Sequence, residues 1–161
     1  MHSPMTETLE HRLQALEDRE AIRELIASYG PLADSGDAAG VAALWAEDGS
    51  YGVVGFAAAQ GREQVAGLIS GEFHQALMQA GCAHLLGPVA ITLDGDHATA
   101  RGHSVVLRHT DTGFEAYRVS ANRWELARIE GAWCVTHREN ALLDGQEAAR
   151  ALLSPPAGHR R

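Results

Sequence analysis

The stretch IRELIASYGPLADSGDAAGVAALWAEDGSY, residues 22–51, decides the fold. It reads as the end of a long helix, an Asp-rich turn, a short helix finishing in Leu44-Trp45, and an acidic turn into a strand. Leu9, Leu13, Leu16, Ile22, Ile26, Tyr29 and Ala33 follow the three- and four-residue steps of a helix with one apolar face. That seam runs into Asp34, whose carboxylate is expected on or beside the buried face. A buried charge is costly unless paired, so the rest of the chain must supply a partner for it. Gly30-Pro31 interrupts the pattern, because proline lacks a backbone donor and crowds the preceding turn. A kink is expected there, or a helix that stops and restarts.

Working outward, the 161 residues suit one domain large enough for a ligand-sized cavity. The expected core is 8–145, with a C-terminal helix at 146–153 and a flexible tail at 154–161. A net charge of −8 argues against nucleic acid or an anionic membrane as partner, since both need a basic footprint. No apolar run approaches the ~18 residues of a membrane span, and residues 1–6 read as a frayed leader without a signal-peptide core. Cys82 and Cys134 need not pair, which fits a cytoplasmic setting.

Thr6 or Thr8 is placed to cap the first helix, and Asp37 a short helix over 38–46. A glycine-rich strand is expected over 49–56. A third helix follows over 62–80, with Val65, Leu68, Ile69, Phe73 and Leu77 on one side. Four strands come next, over 82–93, 98–109, 114–129 and 133–143, separated by turn signals such as Asp94-Gly95 and Glu130-Gly131. Helices followed by an antiparallel meander make an α+β pattern. Strands this long bend, which predicts a cone-shaped, curved, mainly antiparallel sheet wrapped by three helices around a pocket. On the convex face, Arg101, Arg123 and Glu125 are expected to be polar, and Val89, Ile91 and Val135 to give an apolar share. A two-fold homodimer through that face is the expected assembly.

The order of elements, the Tyr29–Asp34–Asp37 spacing, Leu44-Trp45-Ala46-Glu47-Asp48 and Gly131-x-Trp133 resemble the SnoaL-like branch of the nuclear transport factor 2-like superfamily. Cys82-Ala83-His84, Gly102 to His109 and Ser120-Ala121-Asn122-Arg123-Trp124 resemble the site strands of scytalone dehydratase. The resemblance implies an α+β barrel, a cystatin-like fold, and a helix Asp paired with a strand His, here Asp34 and His84. It also implies a second His, an Asn and tyrosines around the substrate, matching His109, Asn122 and Tyr51. The Asp-His part is similar to hexachlorocyclohexane dehydrochlorinase and bile acid 7α-dehydratase, the latter adding a tyrosine that Tyr29 matches. Ala33 departs from scytalone dehydratase, which carries a tyrosine there.

The implied chemistry is a cofactor-independent β-elimination beside a carbonyl, on a small or medium apolar carbonyl or hydroxylated ring compound. Histidine is the natural base near neutral pH, and a carboxylate fixes its tautomer and favours its charged form, so Asp34 is expected to raise the pKa of His84. His109 shares a strand face with His103, Val105 and Leu107, and enters the pocket if those residues point inward. Asn122 shares its face with Ser120, Trp124 and Leu126, and suits either a ligand or a backbone hydrogen bond. Tyr29 and Asp34 lie about 140° apart on an ideal helix, so only a kink would turn both to one pocket. Trp45, Trp124 and Trp133 read as core and pocket wall. No HExxH or close His pair at helical spacing suggests a metal, and no glycine loop suits a phosphate. Two further readings share the fold: a ligand-binding or accessory protein without turnover, and a cyclase or isomerase using the same pair.

Overall fold

The computed structural model describes residues 8–156; the leader at 1–6 and the end of the tail at 157–161 lie outside the described residues. Helix α1 spans Leu9–Asp34 and is capped by Thr8, whose hydroxyl oxygen accepts the His11 N–H. It continues through Pro31, so the expected stop and restart does not occur. Only the later part of its seam is buried: Ile22, Ile26, Tyr29 and Ala33 enter the core, while Leu9, Leu13 and Leu16 are exposed. The change comes at Asp18, which accepts hydrogen bonds from Arg128 and the Trp133 indole N–H at the far hairpin of the sheet.

Asp37 caps α2 (Ala38–Ala43) through the Gly40 N–H. That helix is shorter than expected because Trp45 and Ala46 already belong to β1 (Trp45–Val53). A short strand, β2 (Ala57–Gln60), pairs with β1. The single helix expected over 62–80 is two, α3 (Gly61–Ser70) and α4 (Glu72–Ala80), divided at Gly71. The strand expected over 82–93 is also two, β3 (Cys82–Leu86) and β4 (Ala90–Asp94), both paired with β5 (His97–Thr110). Pro88 cannot donate to a ladder, and the Gly87 N–H turns to the His103 carbonyl instead. Then β6 (Gly113–Ile129), β7 (Ala132–Leu142) and α5 (Glu147–Leu152) follow.

The seven strands form one unclosed sheet in the order β2-β1-β7-β6-β5-β3, with β4 beside β5. All neighbours are antiparallel except β1 and β7. The α+β architecture expected from the sequence is therefore present, as an open curved sheet rather than a closed barrel. Its inner face carries Ala98, Ala100 and Ser104 of β5, and Ser120, Asn122, Trp124 and Leu126 of β6, all buried. Alternation then turns His103 and His109 outward, where both are exposed. Val135 is fully buried, and Val89 and Ile91 pack on the core, so these three do not face outward as expected. Part of the outer face is covered by α5 and the residues just after it, where the Ala151, Leu152 and Ser154 carbonyls accept from Arg123. Among the described residues no helix is long and apolar enough to cross a membrane.

Candidate functional site

Asp34, the last residue of α1, reaches β3. Its Oδ2 accepts the His84 backbone N–H at 2.8 Å, and its Oδ1 lies 2.6 Å from His84 Nδ1. An ionised carboxylate only accepts, so Nδ1 carries the proton and Nε2 keeps its lone pair. The Cys82 thiol also donates to Oδ1, at 3.6 Å. His84 lines the cavity with Asp34 behind it, while Tyr29 enters the cavity one and a half turns earlier. The two helical residues need not face one way, because His84 stands between the carboxylate and the cavity.

Burial is the largest influence on the His84 ring and holds its pKa below the ordinary histidine value. The Asp34 hydrogen bond and charge oppose that shift without overcoming it, while His74 and Arg138 add to it. The expected rise is thus reversed: the cavity desolvates the ring more than one carboxylate compensates. Burial and the Asp34 charge push the Cys82 thiol up to about 11, so it stays protonated. Asp34, Cys82 and His84 are the one described group with ligand atoms close enough for a metal. The 2.6 Å between Nδ1 and Oδ1 suits a shared proton; two ligands of a tetrahedral zinc would stand about 3.3 Å apart.

His74 of α4 is a second imidazole that the sequence reading missed. It is buried, its Nε2–H donates to the Ala33 carbonyl at 2.7 Å, and its ring centre is 5.3 Å from that of His84. The helix break at Gly71 re-phases α4, turning His74 and Leu77 inward while Phe73 sits at the rim. The signal available in the sequence was that glycine.

Arg138 of β7 is the other unforeseen residue. In register it neighbours Tyr51 on β1 and Trp124 on β6. Its guanidinium carbon lies 4.1 Å from the Trp124 ring centre, 4.5 Å from Tyr51 and 4.3 Å from Tyr29. Its Nε and Nη2 donate to Asn122 Oδ1, which also accepts from Asn140 Nδ2. Its Nη1 has no hydrogen-bond partner among the described residues. A bulge at Thr136 shifts the β6–β7 register between Glu125 and Leu126 and exchanges the two faces of β7. Val135 faces inward before the bulge, and Arg138 and Asn140 after it. Burial, then Tyr51, raises the Tyr29 pKa against the pull of Arg138, so its phenol remains a neutral donor.

The cavity holds about 290 Å³ and is walled by Val53, Leu68, Ile69, Leu77 and Leu86, with the ring centres of Phe56 and Phe73 4.8 Å apart and the rings tilted at 57°. Its polar lining includes Tyr29, Tyr51, His74, His84, Arg118 and Arg138. A second bulge, at Tyr117, turns both Tyr117 and Arg118 of β6 toward it. Of the residues expected at the site, Tyr29, Tyr51 and His84 line the cavity and Asp34 backs His84. Asn122 is fully buried beneath it, donating to Ser104 Oγ while holding Arg138 and Asn140. Trp45 packs behind Tyr29, Tyr51 and Trp124, with its indole N–H on the Ser50 carbonyl. His109 is not part of the cavity; it lies outside, against Phe114.

A SnoaL-like domain profile matches residues 14–139. The chain is similar, at 58% identity, to a nuclear transport factor 2-like protein with a cystatin-like fold from Novosphingobium aromaticivorans; the match covers 93% of this chain and 99% of that one, with a TM-score of 0.89. A Catenulispora acidiphila protein in complex with S-DNPA matches at 21% identity, over 80% and 94% of the two chains, with a TM-score of 0.68. A protein provisionally named a scytalone dehydratase, from Novosphingobium aromaticivorans, matches at 17% identity, over 80% and 86%, with a TM-score of 0.67. The last two share the fold alone. No curated protein matches the chain. By the extent of the profile match and the 58% relative, this chain belongs to the SnoaL-like family.

Proposed function

We propose that the chain is a cofactor-independent lyase that removes water from a hydroxylated ring carbonyl compound, with His84 as base and Asp34 as the group that orients it. The observation that carries this reading is the 2.6 Å Asp34–His84 contact, which leaves Nε2 unprotonated on a ring that lines the cavity. His84 takes the proton from the carbon beside the carbonyl. The electron pair of that C–H bond passes into an enolate, which expels the hydroxyl from the next carbon as the C=C bond forms. The proton held on His84 goes to the departing oxygen, giving water and an enone. Charge builds on the enolate oxygen, where the Tyr29 and Tyr51 phenols and the positive field of Arg138 stabilise it.

The protein works in this account as a two-fold homodimer in a reducing, cytoplasmic setting, consistent with two free thiols. Leu85 and Val119 are exposed neighbours of Val105 across β3, β5 and β6, a short apolar row on the outer face suited to a second copy. Light scattering at micromolar concentration should return twice the mass of the chain; a monomer counts against this assembly.

Activity is tested with β-hydroxy ring ketones, following the conjugated enone by absorbance. Asp34→Asn should lose nearly all turnover while still binding the ketone, because it keeps the side chain's shape and removes its charge. Binding of the same ketones without turnover by the parent protein favours the other reading of this fold, a small-molecule carrier.

A further inference from the structure

The lining of the cavity has an unbalanced charge. Arg118 and Arg138 both line it, and no carboxylate does. Asp34, behind His84, has its two oxygens occupied by His84 and Cys82. Among the described residues neither arginine has a salt bridge: Arg138 binds the Asn122 amide and Arg118 the Asn140 amide, at 2.8 Å and 2.9 Å for their shorter contacts. Asn122 Oδ1 already accepts from Arg138 and Asn140, so little acceptor capacity remains for Arg138 Nη1. Two cations against one carboxylate leave a surplus positive charge in a protein whose net charge is −8.

Proton transfer does not remove that surplus. When His84 takes a proton from a neutral substrate, an imidazolium and an enolate appear together, and the total is unchanged. One guanidinium is enough to face the enolate. The second, Arg118, stays without a counter-charge along the whole path, half-buried at the cavity wall, where it loses part of its hydration. Burial already disfavours the charged form of Arg118, with the positive Arg138 adding to that effect.

We infer that the natural ligand carries one standing negative charge, a carboxylate on a one- or two-ring apolar body, and that Arg118 is the residue that binds it. This rests on the reading of the cavity as the substrate site and narrows its substrate class. Arg118 is the more accessible of the two arginines, Arg138 being 2% exposed. The bulge at Tyr117 is the device that brings it to the cavity. The apolar wall of Val53, Leu68, Ile69 and Leu86 takes the rings. A cavity of about 290 Å³ limits their number, since small-molecule sites run from roughly 300 Å³ upward.

The test is calorimetric binding of a matched pair, 2-naphthoate and 2-naphthamide, which share a shape and differ in charge. The acid should bind at least about tenfold more tightly, with an affinity that falls as salt rises. Arg118→Gln should weaken 2-naphthoate about tenfold and leave 2-naphthamide unchanged, and Arg118→Lys should keep most of the preference. Equal binding of acid and amide by the parent protein overturns the inference, and so does an equal loss of both in Arg118→Gln. The binding test stands apart from the lyase reading, because neither 2-naphthoate nor 2-naphthamide can lose water: preference for the acid without turnover of β-hydroxy ketones supports this inference and not that reading.

Discussion

Gly30 of α1 lies directly against the backbone carbonyl of His84 on β3, so close that a Cβ at position 30 would overlap the oxygen. This contact sets the distance between helix and strand, and Asp34 is one helical turn further on. The glycine that looked like a helix breaker beside Pro31 is therefore what allows the Asp34–His84 pair to form.

Gly30→Ala should force α1 away from β3. Overpacking of this kind costs about 1–3 kcal/mol, measurable as a lower denaturant midpoint. Turnover should fall further than stability does, because Asp34 loses its reach. A variant as stable as the parent would show that the helix and strand adjust freely.

The His84 ring is held below the ordinary histidine pKa, mainly by burial. As a base it must be neutral, so activity should be full above its folded pKa and fall as pH drops through it. The acid limb should lie below the unperturbed value of about 6.5. Titration of the His84 ring protons by NMR checks this directly; a midpoint above that value would mean that Asp34 dominates after all.

Asp18 ties α1 to the β6–β7 hairpin through Arg128 and Trp133. Burial alone would raise its pKa, but hydrogen bonds from Trp133, Arg128 and Gln14, with the Arg128 charge, hold it below the usual carboxylate value. A depressed folded pKa gives stability that is present above the unfolded value, about 3.9, and lost as pH falls through the folded one. Asp18→Asn should cost about 1.5–3 kcal/mol at neutral pH, the range for hydrogen bonds to a charged group. It should also flatten the loss of stability below pH 4, read from urea unfolding across pH.

Asn122→Ala should act through Arg138 rather than through ligand contact. It leaves Arg138 Nε and Nη2 and Asn140 Nδ2 without their shared acceptor. An orphaned buried donor costs about 1–3 kcal/mol, so the melting temperature should drop clearly. An unchanged melting temperature with weakened ligand binding would restore the simpler view of Asn122 as a pocket residue.

The first helix, its Asp34 terminus, the Asp37 cap and the hairpin order were legible in the sequence, because they rest on local periodicity and turn chemistry. Two of the failures share a physical cause: each depends on one residue that changes phase. The bulge at Thr136 exchanges the faces of β7, so Val135 and Arg138 both point inward, which no single alternation allows. Gly71 resets α4 and brings His74 inward. On β5, Val105 and Leu107 proved to be outward residues, and His109 went out with them. Leu9, Leu13 and Leu16 continue the helical period past the last point where the sheet holds α1.

The central claim is that His84 takes a proton from carbon. It is tested most directly by α-deuterium exchange in D₂O, followed by proton NMR on a tetralone carboxylate that the protein binds. The parent protein should exchange the proton beside the carbonyl well above the buffer rate, and His84→Gln should lose about 10²–10⁴-fold, the usual cost of a missing general base. An unchanged exchange rate in His84→Gln, or no exchange by the parent with the probe bound, would contradict the account.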